Sequence, residues 1–195
     1  MKFQKICVFC GSNLGIRPVY RTAAEQLASL LVRRGIDLVY GGGNIGLMGV
    51  LADTVLASGG KVTGVIPESL MAREVGHRGL AELRVVSSMH ERKALMSDLS
   101  DAFIALPGGF GTFEEFCEVV TWSQLGIHEK PCGLLNVNGY YDPLLRLFDN
   151  AVREGFLHPD NRALVLDAGD PEHLLEKMAA FEPTRAAKWI GREER

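Results

Sequence analysis

Short apolar runs alternate with segments of helical period along nearly the whole chain. Residues 6–9, 37–40, 62–66, 83–86, 102–106, 133–137 and 163–166 read as strands, most of them apolar almost without a break. Between and after them, residues 19–34, 47–58, 89–99, 112–125, 143–154 and 171–180 read as helices. A strand with one wet face alternates polar and apolar side chains, whereas a strand covered on both faces does not. Apolar strands separated by helices therefore predict an α/β fold: a Rossmann-like, doubly wound, mainly parallel sheet with helices on both faces. The 195 residues suffice for one such domain with a sizeable core, and no repeat, low-complexity tract or Pro/Ser-rich linker divides them. Glu182 to Arg195 form a charged tail that is expected to fray.

Composition removes several classes of function. Hydrophobic residues make up 47% and charged residues 23%, with a formal net charge of −3, so the basic surface that general nucleic-acid binding needs is missing. No apolar run is long enough to cross a membrane, and Met1-Lys2-Phe3-Gln4-Lys5 leads straight into the first strand. Neither a signal peptide nor a membrane span is expected, and the cytoplasm is the expected compartment. Cys7 and Cys10 match C-x-x-C, but three positions along a strand turn two side chains to opposite faces, and there is no second such pair. With Cys117 and Cys132 they are expected as buried thiols rather than a disulfide framework, redox pair or zinc site. His77, His90, His128, His158 and His173 show no metal-ligand spacing, so no metal is expected.

Three glycine-rich junctions stand where strands should end: Cys10-Gly11-Ser12-Asn13, Gly41-Gly42-Gly43-Asn44-Ile45-Gly46-Leu47-Met48-Gly49, and Pro107-Gly108-Gly109-Phe110-Gly111-Thr112. In an open parallel sheet, ligands bind beyond the carboxyl ends of the strands, and all three junctions belong to that edge. Any one of them is accounted for by a tight strand-to-helix turn; three together point to a nucleotide or phosphate site. Gly41, Gly43 and Gly46 fit G-x-G-x-x-G, but no acidic ribose-binding residue stands at the expected strand end, and the lysine of a P-loop is missing. Gly11, Ser12, Gly42, Gly43, Gly46 and Met48 are candidates for substrate contact. Ser12 has no evident His/Asp pair, so it is expected to offer a hydroxyl contact rather than a nucleophile.

Two segments carry charge into this edge. Ser88 and Glu91 fit a capping box that starts a helix, and helical spacing places Arg92 inside the apolar stripe of Met89, Leu95, Met96 and Leu99. A guanidinium on a buried face needs compensation, through an internal salt bridge, by snorkelling, or from a bound anion. Lys93 is one position round the helix and would reach the same anion or point to solvent. Thr112-Phe113-Glu114-Glu115 is also S/T-x-x-E, so Glu115 is either the cap of its own helix or a carboxylate placed beside an anion site.

Pro107-Gly108-Gly109-Phe110-Gly111-Thr112-Phe113-Glu114-Glu115 matches P-G-G-x-G-T-x-x-E, and Met89-His90-Glu91-Arg92-Lys93 resembles an M-x-x-R-K segment before it. With residues 40–49 they resemble the LONELY GUY family of cytokinin riboside 5′-monophosphate phosphoribohydrolases, long labelled possible lysine decarboxylases. The resemblance runs from about Ile6 to about Leu175. It implies hydrolysis of the N-glycosidic bond of an adenine-type nucleoside 5′-monophosphate, giving free base and ribose 5-phosphate. It further implies Arg92 and Glu115 as the catalytic pair. The substrate-binding positions it implies are Glu74, Arg92, Lys93, Gly109, Phe110, Gly111, Thr112, Phe113, Glu114, Glu115 and Thr121. Glu74 rests on the resemblance alone. No cofactor is implied. The apolar arc of Phe113, Phe116, Cys117, Val119, Val120 and Trp122 is wider than one core face needs, and with the resemblance it predicts a homodimer with this helix at or near the interface. A helix sandwiched inside its own domain would show the same arc. Two other readings of the site are a non-catalytic nucleotide or phosphate-ligand carrier, which would not need Glu115 as a carboxylate, and a pyridoxal-phosphate decarboxylase, for which Lys93 is the nearest lysine.

Overall fold

The computed structural model describes residues 3–71, 76–77 and 79–183. Strands β1 (Lys5–Phe9), β2 (Asp37–Tyr40), β3 (Val62–Pro67), β4 (Glu82–Val86), β5 (Ala102–Ala105), β6 (Cys132–Leu135) and β7 (Val165–Ala168) join one sheet in the order β4-β3-β2-β1-β5-β6-β7. Every pairing in it is parallel. The helices are α1 (Pro18–Arg33), α2 (Gly46–Ala57), α3 (Glu68–Met71), α4 (Met89–Asp98), α5 (Phe110–Gln124), α6 (Asp142–Arg153), α7 (Pro159–Arg162) and α8 (Pro171–Ala179).

Except in the edge strand β4, the strands lack polar alternation because each one fills two cores. Ile6 and Val8 of β1 pack with Leu27 and Leu31 of α1, Leu51 and Val55 of α2, and Leu174 of α8. Cys7 and Phe9 of the same strand turn the other way, toward Met96 of α4 and Phe116 and Val119 of α5. Cys10 falls in the first core and Cys7 in the second, so the two thiols lie on opposite sides of the sheet. Four-residue strands such as β5 (Ala-Phe-Ile-Ala) are buried along their whole length. Burial of this apolar surface, at about 25 cal/mol per Å², is the main term opposing the chain's entropy loss.

Several boundaries depart from the hydrophobic pattern for local reasons. The run at residues 133–137 stops at Leu135, because Asn136 accepts the Tyr141 N–H (2.7 Å), donates to Asp142 (2.8 Å) and leads into a 3₁₀ turn, Val137–Gly139. The last strand slides from 163–166 to Val165–Ala168. There His158 caps the short helix α7 by accepting the Asp160 N–H (3.2 Å), and Ala163 becomes that helix's C-cap. Helices α3 and α7 are too short to show a period in the sequence. Helix α5 begins at Phe110, two residues earlier than its polar-apolar pattern predicts.

Strand order reverses between β1 and β5: β1 to β4 step outward on one side, and β5 to β7 on the other. At such a switch point the connections leave in opposite directions and open a crevice at the carboxyl edge. Three glycine-rich loops close around it. The Gly11 N–H donates to Pro107 O (3.1 Å), and Gly11 O accepts the Leu47 N–H (3.0 Å). Gly46, at φ +58°, lies so close that a Cβ there would stand 2.2 Å from the Ser12 carbonyl carbon.

Gly46 and Gly59 separate conformational strain from loop contact. Gly59 is also left-handed (φ +79°), but a Cβ there meets nothing within 4 Å. Gly59→Ala is expected to lose about 1–2 kcal/mol, a fall in melting temperature of about 2–8 °C for a chain of this size. Gly46→Ala adds a backbone clash and is expected to fall by more than about 8 °C in the same calorimetric scan. Equal shifts for the two would show that the loops do not depend on this close approach.

Candidate active site

The crevice at the switch point contains a cavity of about 280 Å³. Gly11 and Ser12 line it from the loop after β1, Met48 from the start of α2, Leu70 from α3 and Met89 and Arg92 from α4. Gly109, Phe110, Gly111, Thr112, Glu114 and Glu115 close it from the start of α5, and Cys10 lies at its floor. The two segments read from the sequence as charge-bearing therefore meet in one space, together with the first of the glycine loops.

Arg92 is held from the sheet side. Ser88 caps α4 by accepting the Glu91 N–H (3.2 Å), while the Glu91 carboxylate accepts the Ser87 N–H (2.8 Å) and hydroxyl (2.6 Å), one residue earlier than a regular capping box. This start aims Arg92, 5% exposed, at β3 and at the residue that follows β2. Its Nε donates to Val65 O (3.1 Å) and its Nη2 to Gly41 O (2.9 Å), with Nη1 3.7 Å from the Met89 sulfur. A Cβ on residue 41 would sit 2.1 Å from Nη2, so the first glycine of the triple-glycine run makes room for the guanidinium. One carbonyl within β3 and one just after β2 thus supply part of the compensation that a buried cation requires.

The start of α5 has the opposite polarity. Its N-cap is Gly109, in extended conformation, and no side chain caps it. The first amides of a helix have no intrahelical acceptor, so those of the first turn are available to an anion, aided by the positive end of the helix dipole. Thr112 lies inside that first turn and is buried, so Thr112 and Glu115 do not form a capping box. Glu115 belongs to the cavity wall instead. Burial raises the Cys10 thiol pKa well above the usual cysteine range; the Glu115 charge adds to this and Arg92 opposes it. The same three contributions act on Cys7 beneath. The two charged side chains therefore share one poorly screened region.

Other residues singled out from the sequence stand elsewhere. The Lys93 ammonium, with its side chain only 10% exposed, pairs with Glu114 and with Glu118 (3.0 Å), tying α4 to α5. Burial opposes its charge, but the two carboxylates outweigh burial and raise its pKa above the usual lysine range. Phe113 packs edge-on to Tyr141 (centroids 6.3 Å apart) in the core below. Thr121 donates to Cys117 O (2.7 Å) and borders a separate apolar groove of about 250 Å³ between α5, α6 and α7. Gly42 accepts the His77 N–H (3.0 Å), Gly43 forms a β-bridge with Gly76, and Gly46 packs on residues 12 and 13; none of the three lines the cavity. Glu74 lies outside the described residues.

Three contributors escaped the sequence reading. Leu70 sits on a helix of one turn, with no periodic signal. Tyr140 and Tyr141 hold the loop after β5 from behind: the Tyr140 hydroxyl donates to Gly108 O and the Tyr141 hydroxyl to Leu106 O (2.7 Å). Their one signal is position, since they follow β6 at the same carboxyl edge as the glycine loops.

Known proteins resemble this chain in sequence and in fold. The family model described as "Possible lysine decarboxylase" matches residues 48–178. A probable cytokinin riboside 5′-monophosphate phosphoribohydrolase of Oryza sativa subsp. japonica is 58% identical over 180 residues, covering 92% of this chain and 81% of that protein. A cytokinin riboside 5′-monophosphate phosphoribohydrolase of Arabidopsis thaliana is 53% identical over 182 residues, covering 93% and 84%. Among solved structures, the molybdenum cofactor binding protein of Rippkaea orientalis superposes with a TM-score of 0.67 at 23% identity, covering 92% of this chain and 98% of that one. The molybdenum cofactor carrier protein of Chlamydomonas reinhardtii gives 0.67 at 18% identity, covering 91% and 98%. The latter two show a shared fold; the extent and identity of the sequence matches show more, and the chain belongs to the LONELY GUY family of cytokinin riboside 5′-monophosphate phosphoribohydrolases.

Proposed function

We propose that the switch-point cavity hydrolyses the N-glycosidic bond of adenine-type nucleoside 5′-monophosphates. Its substrates are cytokinin riboside 5′-monophosphates such as N6-isopentenyl-AMP and zeatin riboside monophosphate, and also AMP; its products are the free base and ribose 5-phosphate. The observation that carries this reading is the meeting of uncapped α5 amides, the anchored Arg92 and Glu115 in one cavity. The relatives named above carry the same activity in their names.

The first amides of α5 hold the 5′-phosphate, which places the ribose over the next turn of the helix. As the bond between C1′ and the purine nitrogen breaks, its electron pair leaves with the base and positive charge grows on C1′ and the ring oxygen. The Glu115 carboxylate stabilises that charge and takes a proton from the water whose oxygen bonds to C1′. The departing base gains a proton in turn. Arg92, immobilised by the carbonyls of Val65 and Gly41, orients the nucleotide or assists the leaving base.

Pyridoxal-phosphate chemistry does not fit these residues. A Schiff-base lysine needs a neutral amine, and Lys93 is held as an ammonium between Glu114 and Glu118. A carrier of nucleotides or phosphate ligands needs the amides and Arg92 but has no task for the Glu115 charge.

The same reading includes a homodimer built on α5 and its neighbours. Helix α6 has no fully buried residue, and Leu125, Leu147 and Phe156 are exposed beside the apolar groove that Val120 and Phe148 line. An apolar surface of this kind favours a partner. The cytoplasm is the proposed compartment. Four free thiols suit a reducing environment, and among the described residues no helix is long and apolar enough to cross a membrane.

Glu115→Gln keeps the shape and removes the charge opposed to the oxocarbenium-like ion. Turnover of AMP or its N6-prenylated form is expected to fall by roughly 10²–10⁴ while nucleotide affinity is kept or improved. Near wild-type turnover would remove Glu115 from the chemistry and leave the carrier reading. Free nucleosides lack the group that the α5 amides hold; at about 1.5–3 kcal/mol for each hydrogen bond to a charged group, two or three lost bonds lower kcat/KM by roughly 10²–10⁵. Chromatography of released base from AMP against adenosine measures this, and comparable efficiencies would show that the glycine loops do not bind phosphate. For assembly, light scattering at micromolar concentration is expected to give twice the 21.3 kDa chain mass. The mass of one chain would contradict the dimer.

A further inference from the structure

The loop between β5 and α5 contains adjacent glycines at 108 and 109, and a peptide unit between two glycines reorients at little steric cost. Its two orientations are not equivalent beside an anion. One presents an N–H; the other presents a carbonyl oxygen, which repels the anion. Neighbouring packing does not decide between them by volume alone, because a second cavity of about 190 Å³ borders Pro107, Gly108 and Gly109 on the side facing Tyr20 and Tyr140.

The hydrogen bonds do decide. Three successive carbonyls of this loop are each engaged by a donor from another element. Leu106 O accepts the Tyr141 hydroxyl (2.7 Å), Pro107 O accepts the Gly11 N–H (3.1 Å), and Gly108 O accepts the Tyr140 hydroxyl. The described peptide bonds are all trans, so a unit whose carbonyl faces Tyr140 directs its Gly109 N–H the opposite way. Gly109 borders both cavities, with Tyr140 behind one and Arg92 and Glu115 in the other.

On the reading of the site proposed above, we infer that Tyr140 is a positioning residue for the phosphate-binding loop: its hydroxyl fixes the Gly108–Gly109 peptide with the N–H, not the carbonyl, toward the substrate. Tyr140 is itself well placed for this task. Its ring meets Tyr20 edge-on at 5.8 Å and Tyr141 at 5.1 Å, which holds the hydroxyl against Gly108. Burial raises its pKa above the usual tyrosine range, so the hydroxyl remains a donor at neutral pH. Tyr141 makes the same kind of bond to a peptide that has no N–H, because the next residue is Pro107. Tyr141 therefore steadies the loop without orienting an anion donor.

The pair of tyrosines provides the test. Tyr140→Phe and Tyr141→Phe each remove one hydroxyl and keep the ring. Ribose 5-phosphate binding is measured by calorimetry, and KM and kcat with AMP, beside melting temperature and hydrogen exchange of the segment 107–113. Tyr140→Phe is expected to weaken ribose 5-phosphate and raise KM by about 3- to 30-fold, with kcat changed less than about 3-fold and faster exchange in that segment. Tyr141→Phe is expected to lower the melting temperature while leaving ribose 5-phosphate affinity within about 2-fold of wild type. Wild-type affinity in Tyr140→Phe, or equal losses in both variants, overturns the inference. Because binding is read without turnover, wild-type protein that binds ribose 5-phosphate but cleaves no nucleotide overturns the hydrolase reading while the affinity ratio still decides the role of Tyr140.

Discussion

One residue, Gly11, ties the active edge together. Its N–H is bonded to the loop after β5 and its carbonyl to the start of α2, so the β1, β2 and β5 crossovers share a single backbone junction. The packing around this junction is tight: a Cβ on Gly11 would stand 3.1 Å from Asn13 O and 3.3 Å from Gly108 Cα. A Cβ on Gly108 would stand 2.1 Å from the Thr112 hydroxyl and 2.9 Å from Gly11 N. The glycines are therefore needed first for assembly of the edge and only then for ligand contact. This is why several glycines of the second run support the cavity from outside instead of lining it.

How much of this is legible in the sequence depends on the range of the interaction concerned. Strand and helix order follows from apolar periodicity, which burial on a two-faced sheet imposes directly, and the seven strands come out in their places. Boundaries fail where a side chain intervenes: Asn136 ends β6 early and His158 delays β7. Arg92 reads correctly as a guanidinium on a buried face because its place in the helical stripe is a local fact. The partners it meets, Val65 O and Gly41 O, are main-chain atoms of distant strands with no signature in side-chain pattern. Thr112 misleads for a different reason. Threonine followed three residues later by glutamate looks like a helix start, yet flexible glycines upstream allow the helix to begin at Phe110.

The cavity is polar in an ordered way. On the sheet side, the carbonyl of Val65 in β3 and that of Gly41 just after β2 converge on a cation; on the helix side, the start of α5 lines the cavity with no side-chain cap. A parallel sheet and the helices that follow its strands produce these two dipole ends at one edge as a consequence of topology. A nucleotide monophosphate has matching features in a fixed order, an anion at one end and a hydrogen-bonding base at the other, with the scissile bond between. The fold thus orients such a ligand before any specific side chain acts.

Against that background the carboxylates of α5 present a problem, because Glu114, Glu115 and Glu118 crowd a helix whose start is proposed to hold phosphate. Lys93 reduces it by pairing with both Glu114 and Glu118, one positive charge on a side chain only 10% exposed offsetting half of their combined charge. Glu118, with its side chain 24% exposed, is less screened by solvent than Glu114, and without Lys93 its charge would oppose an anion at the start of the helix. Glu114 and Glu115 both line the cavity, with Glu114 paired to Lys93. On the proposed mechanism one carboxylate stabilises the cation developing at C1′, whereas further unpaired ones would repel the phosphate. The ion pair between α4 and α5 therefore sets the charge of the site as well as joining its two helices.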